Sequence, residues 1–143
     1  MQSLRTEAWL LRGISSIPGE LVLRGGVLSF SARSTGSAWP WQLRKLERSL
    51  GAPGFAGALE KGYRRTLFQW PVRSVRFWVP WYYFGGGIKV SRDGLVLRLS
   101  FGRPANTRAS NLASAFANLK EVAVMRRRGK LWLAALESAA GGK

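Results

Sequence analysis

The sequence predicts a mainly β chain with helices: a small antiparallel barrel or split barrel of about seven strands, with a helical insertion after the third strand and a C-terminal helix as its cap. Three observations carry that prediction. Several short runs alternate apolar with polar residues, the period of a strand with one buried face. Between residues 39 and 62 the apolar spacing changes to three and four, and after Pro104 it changes again for the rest of the chain. The most heavily specified stretch, 78–104, holds an aromatic cluster, three consecutive glycines and a tight-turn signal, and reads as a hairpin.

Residues 7–17, with Trp9, Leu10, Leu11 and Ile14, read as a bent first strand that Pro18-Gly19 closes as a turn. Residues 20–24 then alternate Leu21 and Leu23 with Glu20, Val22 and Arg24, and Gly25-Gly26 turns the chain back. Residues 27–32 place Leu28, Phe30 and Ala32 on one face, completing an antiparallel meander. Residues 33–36 form a loop. Leu43, Leu46 and Leu50 then mark a short amphipathic helix ended by Gly51, and Pro53 opens a second one carrying Phe55, Ala56, Ala58 and Leu59 as far as Gly62. This insertion, 39–62, reads either as a cap on one end of the barrel or as a helix pair that binds a partner.

Residues 63–69 are extended again, and Pro71 suits an edge strand or a bend. The run 72–79 reads as one strand with Arg73, Val75, Phe77 and Val79 facing the core. Ile88 and Val90, then Leu95, Leu97, Leu99 and Phe101, are the two arms of the hairpin around Asp93-Gly94. In the C-terminal helical region, 105–143, Asn106 or Ser110 caps a helix carrying Leu112, Phe116 and Leu119, and Trp132, Leu133 and Leu136 form a second apolar stripe. The expected core is Leu21, Leu23, Leu28, Phe30, Val75, Phe77, Ile88, Val90, Leu97, Leu99, Trp132 and Leu136. No linker or internal repeat divides the chain, so 1–143 reads as a single domain.

Composition narrows the chemistry. The chain of 143 residues contains no cysteine and no histidine, which removes thiolate nucleophiles, disulfides, imidazole bases and histidine- or cysteine-bound metal. The carboxylates Glu7, Glu20, Glu47, Glu60, Asp93, Glu121 and Glu137 are dispersed, and a nucleophile at Ser110 or Ser114 has no evident base. A non-catalytic protein without a cofactor is expected. With 23 basic and 7 acidic residues the formal charge is +16, a field that favours phosphate backbones, anionic lipid headgroups or an acidic protein. Arg12, Arg24, Arg73, Arg76, Lys89 and Arg98 interrupt every apolar run before it could span a bilayer. The opening residues lack the h-region of a secretory signal, so a cytoplasmic chain with a peripheral membrane contact is expected.

The segments GELVLRGGVLSF, TLFQWPVRSVRF and FGGGIKVSRDGLVLRLSFGRP, taken together, resemble the GRAM and bacterial pleckstrin-homology-like (PH-like) domains. Gly19 with Leu21 and Leu23 matches the opening turn and strand, Leu67, Phe68 and Pro71 the middle strand, and Lys89, Asp93, Gly94 and Phe101 the final hairpin. The resemblance covers 10–104, with 129–136 matching the closing helix, whereas the insertion 39–62 and the helix-like segment 106–122 depart from it. It implies a PH-like barrel that binds lipid or protein.

Candidate contacts follow from residue type. Arg76, Lys89, Arg126, Arg127, Arg128 and Lys130 are the expected anion or phosphate contacts, because guanidinium forks and ammonium groups match phosphate oxygens. The triple arginine also reads as a solvated helix end. Trp81, Tyr82, Tyr83 and Phe84 are expected either at a membrane or partner surface or, with Trp78, finishing the core. The expected partner is an anionic lipid surface or an acidic protein. Nucleic acid bound without base readout is the alternative, and a protein-interaction scaffold is the third reading.

Overall fold

The computed structural model describes residues 3–12, 15–79, 86–102 and 119–141. Strands β1 (Leu4–Arg12) and β2 (Ser15–Arg24) pair antiparallel from Leu4↔Leu23 to Arg12↔Ser15. Pro18-Gly19 therefore lies inside β2 and is not the expected turn. The Pro18 carbonyl accepts a hydrogen bond from the Arg33 N–H at 2.8 Å. In an extended residue N–H and C=O point to the same side, so the N–H that proline lacks would have faced Arg33, beyond the last β2–β3 pair at Gly19↔Ala32. Gly19 serves packing instead of turning: a Cβ there would lie 2.6 Å from Cζ of Phe30 and would overlap the Ser31 carbonyl oxygen.

Strand β3 (Val27–Ala32) matches its expected bounds, and the helical insertion follows as α1 (Pro40–Leu50) and α2 (Phe55–Glu60). Pro40 at the first position suits a helix start, and the Gln42 side chain accepts from the Trp39 N–H at 2.8 Å. The Gln42 amide also donates to the Arg12 carbonyl at 3.3 Å, tying α1 to the end of β1. Leu43, Leu46, Phe55, Ala56 and Leu59 are buried in the same core as the strands. The insertion thus supplies core surface.

Strand β4 (Arg65–Pro71) pairs with β3, and a 3-10 turn at Val72–Ser74 leads to β5 (Arg76–Trp78). The single strand expected over 72–79 is broken there. Ser74 Oγ donates to the Pro71 carbonyl at 2.8 Å and the Val72 N–H donates to Gly26 at 2.9 Å, which rephases the side chains. Val72 and Val75 are consequently buried, Arg73 is exposed, and Phe77 and Val79 are half-buried. Trp78 is 39% exposed and does not finish the core. Strands β6 (Gly87–Arg92) and β7 (Leu95–Ser100) form the expected hairpin, with Asp93 and Gly94 at φ 52° and 81°, the left-handed pair that a tight hairpin turn requires.

All seven strands belong to one antiparallel sheet in the order β4-β3-β2-β1-β7-β6-β5. Two meanders meet where β1 pairs with β7, at Trp9↔Ser100, Leu10↔Leu99 and Leu11↔Arg98. Among the described residues β4 and β5 are edges that do not pair, so of the expected barrel or split barrel the sheet is not the closed form. The sheet nevertheless surrounds one core, and Arg92 of β6 reaches across to lie 5.8 Å from the ring centre of Trp70 on β4.

Helix α3 (Leu119–Gly141) packs on the core with Trp132, Ala135 and Leu136. Trp132 stacks on Phe101 with ring centres 6.0 Å apart, and Arg128 donates to the Phe101 carbonyl at 3.1 Å. Arg126, Arg127 and Arg128 lie inside this continuous helix, so the triple arginine is not a helix end. The helix expected from Asn106 or Ser110 through Leu112 and Phe116 lies outside the described residues, as do Trp81, Tyr82, Tyr83 and Phe84. Of the expected core, Phe77 alone is only half-buried; the other named residues are buried.

Three substitutions test this packing. Trp132→Ala lowers unfolding free energy by about 3–5 kcal/mol in a urea titration, the cost of emptying a large buried site. Trp132→Phe costs less, because the ring stack survives and the indole N–H, unpaired among the described residues, is removed. Gly19→Ala lowers it by about 1–3 kcal/mol through overpacking against Phe30.

Candidate functional site

Register places the basic side chains. Residues directly opposite each other in a sheet share a face, so Trp78↔Lys89 and Lys89↔Arg98 put these three side chains in one row on the outer face of β5, β6 and β7. Arg76↔Ser91 and Ser91↔Val96 form the adjoining row. Inner-face neighbours Ile88, Val90, Leu97 and Leu99 are fully buried, which holds the outer row in place from behind. Trp78 and Val96 supply exposed apolar surface between the cations, at 39% and 43% exposure. No carboxylate stands in either row.

Glu7, Glu20, Glu47, Glu60 and Asp93 are engaged elsewhere. Glu7 and Glu20, on the outer face of the β1–β2 half, pair with Arg33 and Arg5. Glu60 meets Arg44 across the two helices of the insertion, 3.9 Å away, and Asp93 stays beside Arg92 at the hairpin tip. The Glu47 carboxylate accepts from the Ala56 N–H at 3.0 Å. Arg12, at the end of β1, is held below its ordinary arginine pKa first by burial and then by repulsion from Arg98. Two guanidinium groups that repel each other carry a standing electrostatic cost, and an anion placed beside them offsets it.

The expected contacts on α3 divide differently. Its packed side faces the core, so Arg127 and Lys130 point away from the sheet, on the side opposite the outer row of Arg76 and Lys89. Arg126 is exposed, whereas Arg128 is half-buried against Phe101. The structure thus brings Arg76 and Lys89 together and adds Arg98 and Trp78, but leaves Arg126, Arg127, Arg128 and Lys130 on another side. Elsewhere, Arg65 donates to the Pro53 carbonyl at 3.1 Å, and Arg103 and Arg108 lie outside the described residues.

Sequence reasoning did not single out Trp39, Trp41 and Tyr63, which are 60%, 60% and 66% exposed. A signal was present for Trp41. It precedes Leu43 by two residues, about 200° around a helix, and so stands off the Leu43–Leu46–Leu50 stripe. A groove of about 410 Å³ runs between residues 50–53 and β4, with Arg65 and Arg92 among its walls.

Among the described residues, no three carboxylates gather as a metal site, and no helix is long and apolar enough to cross a membrane. The arrangement offers fixed positive charge with exposed indole, which can hold phosphate or carboxylate groups at a surface. Comparison of the chain with family models, curated proteins and solved structures finds no match.

Proposed function

We propose that this chain is a non-catalytic, PH-like module that docks on an anionic membrane surface through the outer face of β5, β6 and β7. The observation that carries the reading is the acid-free row Trp78–Lys89–Arg98, with Arg76 beside it. Cations held over a phosphate-rich surface attract it, and an exposed indole sits comfortably at headgroup depth. The PH-like reading of the fold is supported by the two meanders and the C-terminal helix on their shared core.

Charge distribution adds direction to the docking. The outer face of the β1–β2 half carries Glu7 and Glu20 in ion pairs, while the outer rows of β5, β6 and β7 carry Arg76, Lys89 and Arg98. A module with that asymmetry turns its β5–β7 half toward a negative surface before contact, and added salt weakens the torque.

Flotation of the intact chain with vesicles of neutral phosphatidylcholine, and with vesicles containing phosphatidylserine, tests this. Selective recovery with the anionic vesicles, falling as salt rises, is expected; equal or absent recovery overturns the membrane reading. Salt-sensitive binding to unrelated oligonucleotides without vesicle recovery would put nucleic acid in its place. Each cation near an anionic surface contributes about 1 kcal/mol. The triple variant Arg76→Gln/Lys89→Gln/Arg98→Gln therefore lowers the vesicle partition coefficient by about 100-fold while its melting temperature stays close to that of the parent.

A further inference from the structure

The insertion carries the most exposed aromatic side chains among the described residues, and the sheet-face docking described above makes no use of them. From their surroundings we infer that the α1–α2 pair is a second membrane contact, in which Trp39, Trp41 and Tyr63 enter the headgroup layer of an anionic bilayer. The inference rests on the membrane reading of the chain but on a different surface.

The packing of α1 fixes what it can offer. Its apolar stripe is spent in the core, through Leu43 and Leu46, so its outward side is free of any structural duty to the fold. On that side Trp41 is followed one turn later by Arg44 and Lys45, and Lys45 by Arg48. Arg44 reaches Glu60 at the end of α2, and the chain continues from there through Lys61 and Tyr63 to Arg64. Tyr63 is fixed in this position by its N–H, which donates to the Ala58 carbonyl at 2.9 Å. Trp39 is fixed in turn by the Gln42 side chain, which is itself bonded to the end of β1.

The resulting surface has five cations, Arg44, Lys45, Arg48, Lys61 and Arg64, against the single exposed carboxylate Glu60. Large aromatics left more than half exposed are unusual on a folded surface unless something covers them. Tryptophan and tyrosine have an apolar body and a polar tip, which suits the boundary between headgroups and acyl chains, and basic neighbours suit anionic headgroups. A single nucleic-acid strand needs a groove that follows its backbone. Trp39, Trp41 and Tyr63 take no part in the groove between residues 50–53 and β4.

The absence of cysteine from the chain permits clean labelling. One environment-sensitive fluorophore is placed at Ser49→Cys, exposed near the end of α1, and in a separate protein at Val96→Cys, on the outer face of β7. Each labelled full-length chain is mixed with phosphatidylserine-containing vesicles and followed by emission shift and by flotation. A blue shift at position 49, alone or together with one at 96, supports the insertion as a membrane contact. Recovery with vesicles but no shift at 49 overturns the inference and leaves the membrane reading standing. Failure of both chains to float overturns both. Independently, Trp39→Ser/Trp41→Ser/Tyr63→Ser is expected to reduce vesicle partition by roughly tenfold or more, with an unchanged melting temperature because these side chains lie outside the core. Unchanged partition in that variant also overturns the inference.

Discussion

The fold depends on the short antiparallel contact between β1 and β7. Only three pairs form it, Trp9↔Ser100, Leu10↔Leu99 and Leu11↔Arg98, yet they join the four-strand meander to the three-strand one. Bringing residues 9–11 beside 98–100 closes a long loop, and the length-dependent part of that entropy alone is about 4 kcal/mol. The few backbone hydrogen bonds that three residue pairs allow, since bonded and non-bonded pairs alternate, do not offset this by themselves. Burial does: Leu10 and Leu99 face each other at 0% exposure, inside a core that also takes side chains from the insertion and from α3. Without that joint there would be two half-sheets, each with an uncovered apolar face.

Strong positive charge is compatible with this fold because the core has been kept free of it. The buried residues are apolar except for Ser15 and Gln42, and Gln42 has both ends of its amide engaged. Exposed ion pairs such as Arg5–Glu20 and Arg44–Glu60 stabilise by about 0–1 kcal/mol each, too little to answer a formal charge of +16. The excess cations lie on outer faces, where water and counterions screen them.

Register decides which cations act together. Arg76, Lys89 and Arg98 are distant in sequence but fall on one face, because antiparallel pairing aligns odd and even positions across three strands. Arg126 to Lys130 are contiguous in sequence and are dispersed by helical geometry, with Arg128 turned back toward Phe101. Proximity along the chain is therefore a poor guide to a surface built on strands, and a worse one on a helix.

Much of the local structure is written in local chemistry. The Asp93-Gly94 hairpin, the β3 alternation and the α1 stripe ended by Gly51 depend on backbone preferences and periodicity, and a short window of residues contains both. The residue types of the proposed contact, cations and aromatics, are equally visible in such a window, but not which of them share a face. What the window lacks is neighbours. Pro18 resembles a turn residue until β3 is seen to end beside it, and Val72 belongs to the core only because the 3-10 turn shifts its phase. Trp41 and Trp132 are the same residue type on amphipathic helices, one exposed and one buried, and the partner surface decides between them. Sequence by itself determined the turns at Gly25-Gly26 and Asp93-Gly94 and which residues seek burial or carry charge, because those are properties of single residues and their spacing. Tertiary structure alone decided which strands pair, which tryptophans remain outside and which arginines share a face, because those depend on contacts between residues far apart in the chain.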